Sequence, residues 1–188
     1  PKRVTGDLTL LSGPAGGVMA AVVEQRSMGA PALAFDMGGT STDVAWIEGQ
    51  PPLIYETEIG GTPIKSRLVD LHTVAAGGGS ICSVSPHEIT VGPESAGSSP
   101  GPICYQKGNQ QQLTITDIQL YLGRIKDTYF PFKLGIDGVS QCLDQLSREA
   151  KLTSHDLALQ FLQLAIVKMA EAARQVSSAQ GRSAEATH

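Results

Sequence analysis

The residues best suited to chemistry in this sequence lie between Asp36 and Asp43. They place N–H and O–H donors in an unbroken row: Gly38, Gly39, Thr40, Ser41 and Thr42. Glycine has no β-carbon, so the adjacent glycines permit a tight turn whose N–H groups can approach an anion. Asp36 could hold Mg²⁺ directly or through water, because this small hard cation prefers oxygen ligands and keeps several waters. We therefore predict a phosphate-binding turn, although an ordinary glycine hairpin with polar neighbours would have a similar sequence.

A second group of polar residues lies about thirty positions further along the chain. Asp70 and His72 are two residues apart, so in an extended segment their side chains share a face. A carboxylate–imidazole pair could bind a metal or transfer protons, and a purely structural hydrogen bond is the alternative. The triple glycine that follows, Gly77, Gly78 and Gly79, can expose several N–H groups to a phosphate or carboxylate. We predict that these glycines line a ligand-binding cleft.

Strands must position these candidate residues. Residues 33–35 form an apolar run that suits a buried strand, and residues 43–47 predict a second strand beside it. Alternating side chains at 53–59 predict a third antiparallel strand. Before the strands, residues 12–26 predict a helix, with Pro14 in the first turn, where its missing N–H has no cost.

The region after the triple glycine has fewer signals of regular structure. Residues 81–105 are rich in proline and glycine, and only 88–91 predict a short strand. Cys104 lies in this region without a suitably spaced histidine, so we interpret it as structural. Thr116 is the predicted N-cap of the helix that follows, and Asp117 is either a site residue or part of that cap.

The last third of the sequence predicts helices. Leucines at one-face spacing predict a short helix at 140–150. Thr153 then caps a long helix with Asp156 in the favourable third position, and Gly181 can end it. We expect these helices to form core and to have no chemical role.

Composition restricts the class of protein. The chain has 188 residues, 41% hydrophobic and 17% charged, which suits one globular domain rather than a disordered chain. A net charge of −4 argues against a nucleic-acid or acidic-membrane partner. No apolar run is long enough to cross a membrane. Three cysteines without metal-ligand spacing favour a reduced, cytoplasmic setting.

Residues 35–43, Phe-Asp-Met-Gly-Gly-Thr-Ser-Thr-Asp, resemble the second phosphate motif of the hydantoinase A / 5-oxoprolinase family. The resemblance continues, in the family's order, through residues 12–18, 69–80, 91–97, 100–105, 114–117 and 122–124. It departs from the family at 107–112, which look like a loop extension, and at Ile118 and Gln119, where the family has a small residue and then Asn. The resemblance implies an α/β fold: a ribonuclease-H-like, actin-like ATPase lobe with a mixed sheet, an irregular Gly/Pro-rich insert and C-terminal helices.

The resemblance also implies a function. ATP, with Mg²⁺ or another divalent metal, would phosphorylate the oxygen of a small cyclic amide such as 5-oxoproline or a hydantoin, so that water can open the ring. Gly38, Gly39 and Thr40 would hold the terminal phosphate, with Ser41 and Thr42 beside them. Asp36 or Asp43 would anchor the metal or orient the attacking group. A hydantoinase B-like subunit or domain is the implied partner.

Two other functions remain open under the same resemblance. The first is an ATP-dependent ketone carboxylase, and the second is a nucleotide-sensing lobe without its own chemistry, as in actin or chaperones. We expect the 188 residues to be an inactive middle piece of a larger polypeptide, because the family's first phosphate loop and adenosine motif are absent. Within a single partial domain we expect an interlobe helix (1–30), a phosphate-motif β-unit (31–60), a Gly/Pro-rich site region (61–125) and a helical region (126–188).

Overall fold

The computed structural model describes residues 12–59, 61–65 and 68–182. They form two compact units. The first unit contains the described residues up to Asp36, then Asp43–Thr73 and those from Glu171 onward, and the second contains Met37–Thr42 and Val74–Ala170. The predicted α/β class is confirmed, while the four sequence ranges proposed within one domain stay a prediction.

The first unit begins with helix α1, Ser12–Met28. The predicted helix is confirmed and is two residues longer than expected. It ends at Gly29, whose φ of +69° and amide bond to the Gln25 carbonyl (3.0 Å) form a left-handed stop. One turn apart on this helix, Val18 and Val22 are buried against Ala45 and Ile47 of the sheet.

That sheet contains β1 (Ala32–Met37) and β2 (Thr42–Ile47), as predicted. The short connection through residues 38–41 makes them antiparallel, since a parallel pair needs a long crossover. The third strand was predicted wrongly: β2 pairs with β7 (His72–Val74), giving the order β1-β2-β7.

The predicted third strand, 53–59, instead divides between two small antiparallel pairs. These pairs are formed by β3 (Leu53–Ile54) with β6 (Leu68–Val69) and by β4 (Thr57–Ile59) with β5 (Thr62–Ile64). Gly61, with a φ of +80°, turns the chain back immediately after β4, so this segment pairs locally.

The second unit contains a hairpin that the sequence analysis did not predict in full. Strands β8 (Ser80–Val84) and β9 (Ile89–Ser95) pair antiparallel, where one short strand had been expected in an irregular region. Ser85 closes the connection: its amide donates to the Glu88 carbonyl (2.8 Å), and its hydroxyl accepts from the Glu88 amide (3.1 Å). Because the region is rich in proline, the sequence analysis predicted irregular structure and did not predict this turn.

Three helices complete the second unit's part of the chain: α2 (Ile115–Tyr121), α3 (Asp137–Ala150) and α4 (Ser154–Ala179), of which α4 continues beyond Ala170. The predicted Thr116 cap is wrong, because Thr114 is the N-cap of α2 and forms a capping box with Asp117. The predicted Thr153 cap of α4 is confirmed: its hydroxyl accepts from the Asp156 amide at 3.1 Å.

The core of the second unit lies between these helices and the β8–β9 hairpin. Its largest fully buried side chains come from β9, from the residue before the α2 cap and from the three helices: Val91, Leu113, Ile115, Ile118, Val139, Leu143, Leu157 and Phe161. Each such side chain contributes roughly 1.5–3 kcal/mol by leaving water. Within the described ranges, none of the helices combines the length and apolar character needed to cross a membrane.

Candidate functional site

The turn at residues 38–41 lies at the surface of the second unit. Gly38, Gly39 and Thr40 are exposed and Ser41 is half-buried. The turn is closed by a hydrogen bond from the Gly38 amide to the Ser41 carbonyl, 2.8 Å. The sequence therefore located an exposed glycine turn directly after a strand, as a phosphate-binding loop requires.

The triple glycine braces this turn. The Gly78 amide donates to the Gly38 carbonyl (3.0 Å), and the Gly79 amide donates to the Gly39 carbonyl (2.6 Å). The remaining amide, that of Gly77, donates to the Ser80 hydroxyl at 2.9 Å. These three amides are therefore engaged inside the unit and do not face a ligand, whereas Gly78 and Gly79 each line a cavity. The cofactor-binding role of the three glycines stays a prediction.

Close backbone approach explains why glycine occupies these positions. A β-carbon at Gly77 would lie 2.7 Å from the Gly38 oxygen and 2.8 Å from the Gly39 oxygen. At Gly79 it would lie 2.9 Å from the same Gly39 oxygen. Since real β-carbons do not approach other atoms this closely, a side chain at either position would displace the turn.

Gly39 differs from the bracing glycines. A β-carbon there would meet no atom within 4 Å, so the described fold has no steric need for glycine at this position. Among the hydrogen bonds of the described residues, none uses the amide of Gly39 or of Thr40. Exposed adjacent amides of this kind form the backbone concavities that bind anions.

Thr42 has a structural role that the sequence analysis did not predict. Its side chain is fully buried, and its hydroxyl donates to the Ala76 carbonyl at 2.6 Å. Its predicted contact with the cofactor is therefore contradicted by the structure, because the hydroxyl is both shielded and engaged. Thr40 keeps an exposed hydroxyl and remains the stronger candidate donor.

The two aspartates that frame the turn in sequence belong to the first unit. Asp36 is exposed, and its Oδ2 lies 2.9 Å from the position of the β-carbon that Gly17 lacks. The carboxylate of Asp43 accepts a hydrogen bond from the Thr73 hydroxyl, 2.6 Å. No three His, Cys, Asp or Glu side chains of the described ranges gather as a metal-binding group. One exposed carboxylate nevertheless fits Mg²⁺, which completes its shell with waters and phosphate oxygens.

Asp70 and His72 line a cavity of about 220 Å³ within the first unit. Both side chains are exposed, and no hydrogen bond joins them. The backbone places Asp70 through its amide, which donates to the Pro52 carbonyl at 2.9 Å. Other walls of this cavity come from β2, including Trp46, from the end of α4 and from Gln180 just after it. The catalytic role of Asp70 and His72 stays a prediction.

Two further cavities in the second unit border the turn. The Gln119 cavity, about 480 Å³, is lined by Gly38, Gln119 and Arg124 among others. The Tyr105 cavity, about 300 Å³, is lined by Gly39, Thr40 and Tyr105 among others. Thr116 lines both cavities, and its hydroxyl donates to the Gly78 carbonyl at 2.8 Å. The exposed turn thus has a ligand-sized space on each of two sides.

The sequence analysis placed Tyr105 inside a block of the family resemblance and Gln119 at a departure from it, but it did not predict that either residue lines a cavity. Burial, together with the nearby Cys104 and Asp117, raises the pKa of the Tyr105 phenol. Its hydroxyl therefore stays protonated at neutral pH and remains a hydrogen-bond donor.

Asp117 is structural rather than a site residue. It is fully buried and accepts hydrogen bonds from the amides of Ile103 (3.2 Å), Cys104 (2.8 Å) and Thr114 (2.9 Å). Its signal was present in the sequence as the capping-box pair Thr114 and Asp117.

Cys104 is also structural, as the sequence analysis predicted. Its side chain is fully buried, and burial, followed by the charge of Asp117, raises the pKa of its thiol well above the ordinary range. Burial likewise raises the pKa of the Cys82 and Cys142 thiols. Because the thiolate is the nucleophilic form, none of these residues is suited to nucleophilic chemistry at neutral pH.

Comparison with known proteins gives the same family from a family model and from individual relatives. The family model described as hydantoinase/oxoprolinase matches residues 2–188. The 5-oxoprolinase PfmaA of Pestalotiopsis fici is 40% identical over 200 residues, covering 96% of this chain and 15% of that protein. The 5-oxoprolinase of Saccharomyces cerevisiae is 37% identical, covering 95% of this chain and 15% of its own length. The chain thus spans only a small part of these relatives.

More distant relatives include enzymes that act on other substrates. The acetophenone carboxylase gamma subunit of Aromatoleum aromaticum is 37% identical over 128 residues, covering 65% of this chain and 17% of that protein. Among solved structures, a nucleotide-free acetone carboxylase superposes with a TM-score of 0.82 at 27% identity, covering 93% of this chain and 26% of its own. An ATP-dependent caprolactamase from Pseudomonas jessenii gives a TM-score of 0.79 at 26% identity, covering 94% and 26% respectively.

Proposed function

The chain belongs to the hydantoinase/oxoprolinase family, and on that premise we propose that it is part of an ATP-dependent hydrolase of a small cyclic amide, of the 5-oxoprolinase or hydantoinase A type. The relatives named 5-oxoprolinase and the structural likeness to a caprolactamase both support a cyclic-amide substrate. Because the chain spans 15% of the 5-oxoprolinases, the activity is proposed for a complete enzyme that contains this segment.

One observation carries the proposal: Gly39 and Thr40 are exposed, no described residue bonds to their amides, and Gly78 and Gly79 hold the turn from the other side. Gly39 has no steric reason to be glycine within the described fold. Open space over a free amide is what a phosphate oxygen requires. We assign the terminal phosphate of ATP to these two amides and the Thr40 hydroxyl, with Ser41 beside them.

The remaining roles follow from position and chemistry. Bound ATP would supply a phosphoryl group to the amide oxygen, and this would make the ring carbonyl carbon easier for water to attack. The exposed Asp36 carboxylate would hold Mg²⁺ or another divalent metal through water. Asp43, oriented by the Thr73 hydroxyl, would accept a proton from the attacking water. Asp70 and His72, in their own cavity, would transfer protons later in the reaction.

Partners and location form part of the proposal. We propose a hydantoinase B-like subunit or domain as the partner. The acetophenone carboxylase relative supports this, because its name describes it as a gamma subunit. A cytoplasmic location fits the three cysteines, all of which are free thiols.

An ATP-dependent ketone carboxylase is the second candidate. It is supported by the superposition on acetone carboxylase and by the acetophenone carboxylase relative. It would use the same phosphate-binding turn but a different substrate, so the turn alone does not separate the two functions.

Product analysis on the complete enzyme tests the proposal. With ATP, Mg²⁺ and 5-oxoproline we expect equal amounts of glutamate and phosphate. Bicarbonate-dependent loss of acetone or acetophenone would favour the carboxylase instead, and phosphate release without an organic product would favour a nucleotide-sensing protein. Thr40→Val should raise the KM for ATP about tenfold through one lost hydrogen bond. Thr128→Val, at an exposed threonine outside the turn, is the matched control and should leave the KM for ATP unchanged.

A further inference from the structure

Helix α1 and strand β1 bring Gly17 and Asp36 together within the first unit. Ala21 of the helix and Ala34 of the strand both pack against the buried cluster that holds the helix on the sheet. Gly17 lies one helical turn before Ala21 and therefore shares its face of the helix. Asp36 lies two residues after Ala34 and therefore shares its face of the strand. Gly17 and Asp36 thus face each other just beyond the packed cluster.

The space that Gly17 leaves open is taken by the Asp36 carboxylate. A β-carbon at Gly17 would lie 2.9 Å from Oδ2, 3.7 Å from Cγ and 3.9 Å from Cβ of Asp36. Apart from the helix's own backbone and the adjacent residues, these are the three nearest atoms. Since real β-carbons do not approach other atoms as closely as 2.9 Å, the carboxylate would have to move if position 17 carried a side chain.

The Asp36 carboxylate has no other restraint within the described ranges. It is exposed, and neither a salt bridge nor a side-chain hydrogen bond of the described residues includes it. Asp43 differs, because its carboxylate accepts a hydrogen bond from the Thr73 hydroxyl. The orientation of Asp36 therefore depends on which side-chain rotamers the neighbouring backbone leaves open, and α1 leaves one open at Gly17.

Glycine at position 17 has a cost that this contact explains. Gly17 lies inside α1, where glycine is less favourable than alanine because it loses more backbone freedom on folding. The neighbouring Gly16 is exposed, and a β-carbon there would meet no atom within 4 Å. Of these two adjacent glycines, only Gly17 makes room for a described side chain.

We propose that Gly17 is a positioning residue for the divalent metal of the reaction. Because Gly17 lacks a side chain, the Asp36 carboxylate can lie against α1, in the orientation from which it holds Mg²⁺. A β-carbon at position 17 turns the carboxylate away from that orientation. The atom that must move is the free end of a short side chain, so the fold is retained while the metal is bound more weakly. This inference rests on the proposed metal-binding role of Asp36.

Metal affinity of the complete enzyme tests the inference without turnover. Mn²⁺, which prefers the same oxygen ligands as Mg²⁺, is titrated into enzyme kept in excess over a nonhydrolysable ATP analogue, and free Mn²⁺ is measured by electron paramagnetic resonance. Gly17→Ala should weaken Mn²⁺ binding roughly 10- to 100-fold, as when a residue that orients a metal ligand is lost. Its melting temperature should stay at or above that of wild type, because alanine favours the helix.

Matched variants separate the Asp36 contact from a general effect on the helix. Gly16→Ala adds the same methyl group one residue away, in open space, and should keep the wild-type affinity for Mn²⁺. Asp36→Asn should weaken Mn²⁺ binding at least as strongly as Gly17→Ala does. Adding Gly17→Ala to Asp36→Asn should then change the affinity by less than about twofold, because both substitutions act on the same ligand.

The two glycine variants and the double variant can each contradict the inference. Wild-type Mn²⁺ affinity in Gly17→Ala, beside a weakened Asp36→Asn, would leave Asp36 as the ligand and remove Gly17 from the site. An equal loss in Gly16→Ala, or a full further loss when Gly17→Ala is added to Asp36→Asn, would show that the effect does not pass through the carboxylate. A Gly17→Ala protein that does not fold would contradict the argument that only the carboxylate moves.

Failure of the inference and failure of the proposed function give different results. In all the cases above the hydrolase function and the metal-binding role of Asp36 stand. If Asp36→Asn itself keeps the wild-type affinity for Mn²⁺, the metal-binding role of Asp36 is wrong, and this inference is wrong with it. The product analysis with 5-oxoproline decides separately whether the enzyme is a hydrolase.

Discussion

The amide nitrogen of Gly79 lies 2.6 Å from the carbonyl oxygen of Gly39 and donates a hydrogen bond to it. The neighbouring Gly78 makes the equivalent bond to Gly38. Both bonds run from backbone to backbone, so the turn has a defined shape before any ligand binds. A turn that is already ordered avoids the entropy cost of ordering on binding, which favours tight phosphate recognition.

Gly77→Ala should deform the turn from behind. The new β-carbon would meet the carbonyl oxygens of Gly38 and Gly39 at 2.7 and 2.8 Å, so the backbone must shift. We expect a loss of about 1–3 kcal/mol in the free energy of unfolding, measured by urea denaturation, with weaker ATP binding. The control is Gly16→Ala inside α1, where the β-carbon meets nothing within 4 Å and helix propensity predicts a gain of roughly 0.5–1 kcal/mol. Wild-type stability of Gly77→Ala would contradict the bracing contact.

Gly39→Ala should weaken ATP binding without a loss of stability. Its β-carbon enters open space, so the melting temperature should stay within about 2 °C of wild type, as expected for a surface change. If a phosphate occupies that space, the KM for ATP should rise at least about tenfold, because a methyl group takes the place of an oxygen. An unchanged KM for ATP would show that the turn does not contact the nucleotide.

Thr42→Val should destabilise the protein without a specific effect on ATP. The substitution removes the 2.6 Å bond to the Ala76 carbonyl and leaves that carbonyl without its donor. A loss of about 1–3 kcal/mol is expected in the free energy of unfolding. Thr42→Ser keeps the hydroxyl and should retain most of the stability. A selective rise in the KM for ATP in Thr42→Val, at wild-type stability, would restore the original prediction of a cofactor ligand.

Asp117→Asn should be among the most damaging single changes in the second unit. The amide would place N–H donors against the amides of Ile103, Cys104 and Thr114, which now donate to the carboxylate. We expect a loss of about 3–5 kcal/mol in the free energy of unfolding, as when a buried charge network is broken. Asp156→Asn, in the exposed cap of α4, is the matched control and should cost at most about 1 kcal/mol. Equal effects at the two caps would contradict the buried role.

The thiols predict the response of stability to alkaline pH. In the folded state burial raises the pKa of Cys82, Cys104 and Cys142, whereas in the unfolded chain thiols titrate near about pH 8.5. A raised pKa gives stability that is complete below the unfolded pKa and is lost as pH rises above it. The free energy of unfolding should therefore fall from about pH 8.5 upward. Cys104→Ser should reduce the slope of that fall, and an unchanged slope would rule out this thiol as a source.

Local patterns predicted the parts of the fold that depend on neighbouring residues. The turn and its two strands follow from a short apolar run, adjacent glycines and a second run, and the Thr153 cap of α4 follows from the spacing to Asp156. The Thr114 cap was equally available, since Asp117 stands three residues later, but the nearby Thr116 was a competing candidate.

Contacts between distant parts of the chain were beyond local reasoning. The partner of β2 is β7, and the hydroxyl of Thr42 reaches Ala76, in each case some thirty residues away. The triple glycine was recognised as unusual, yet glycines that admit a phosphate and glycines that admit another backbone have the same sequence. Only the positions of Gly38 and Gly39 show which of the two applies here.

The fit between Gly77 and the two carbonyl oxygens has a consequence for how this chain tolerates change over evolution. The space at Gly77 excludes the β-carbon itself, so the size and polarity of the atoms beyond the β-carbon do not matter. A saturation library should show uniform intolerance at Gly77, with alanine as harmful as tryptophan, whereas Gly39 should show a graded response to residue volume. Such a flat profile would identify a position whose identity is fixed by main-chain geometry.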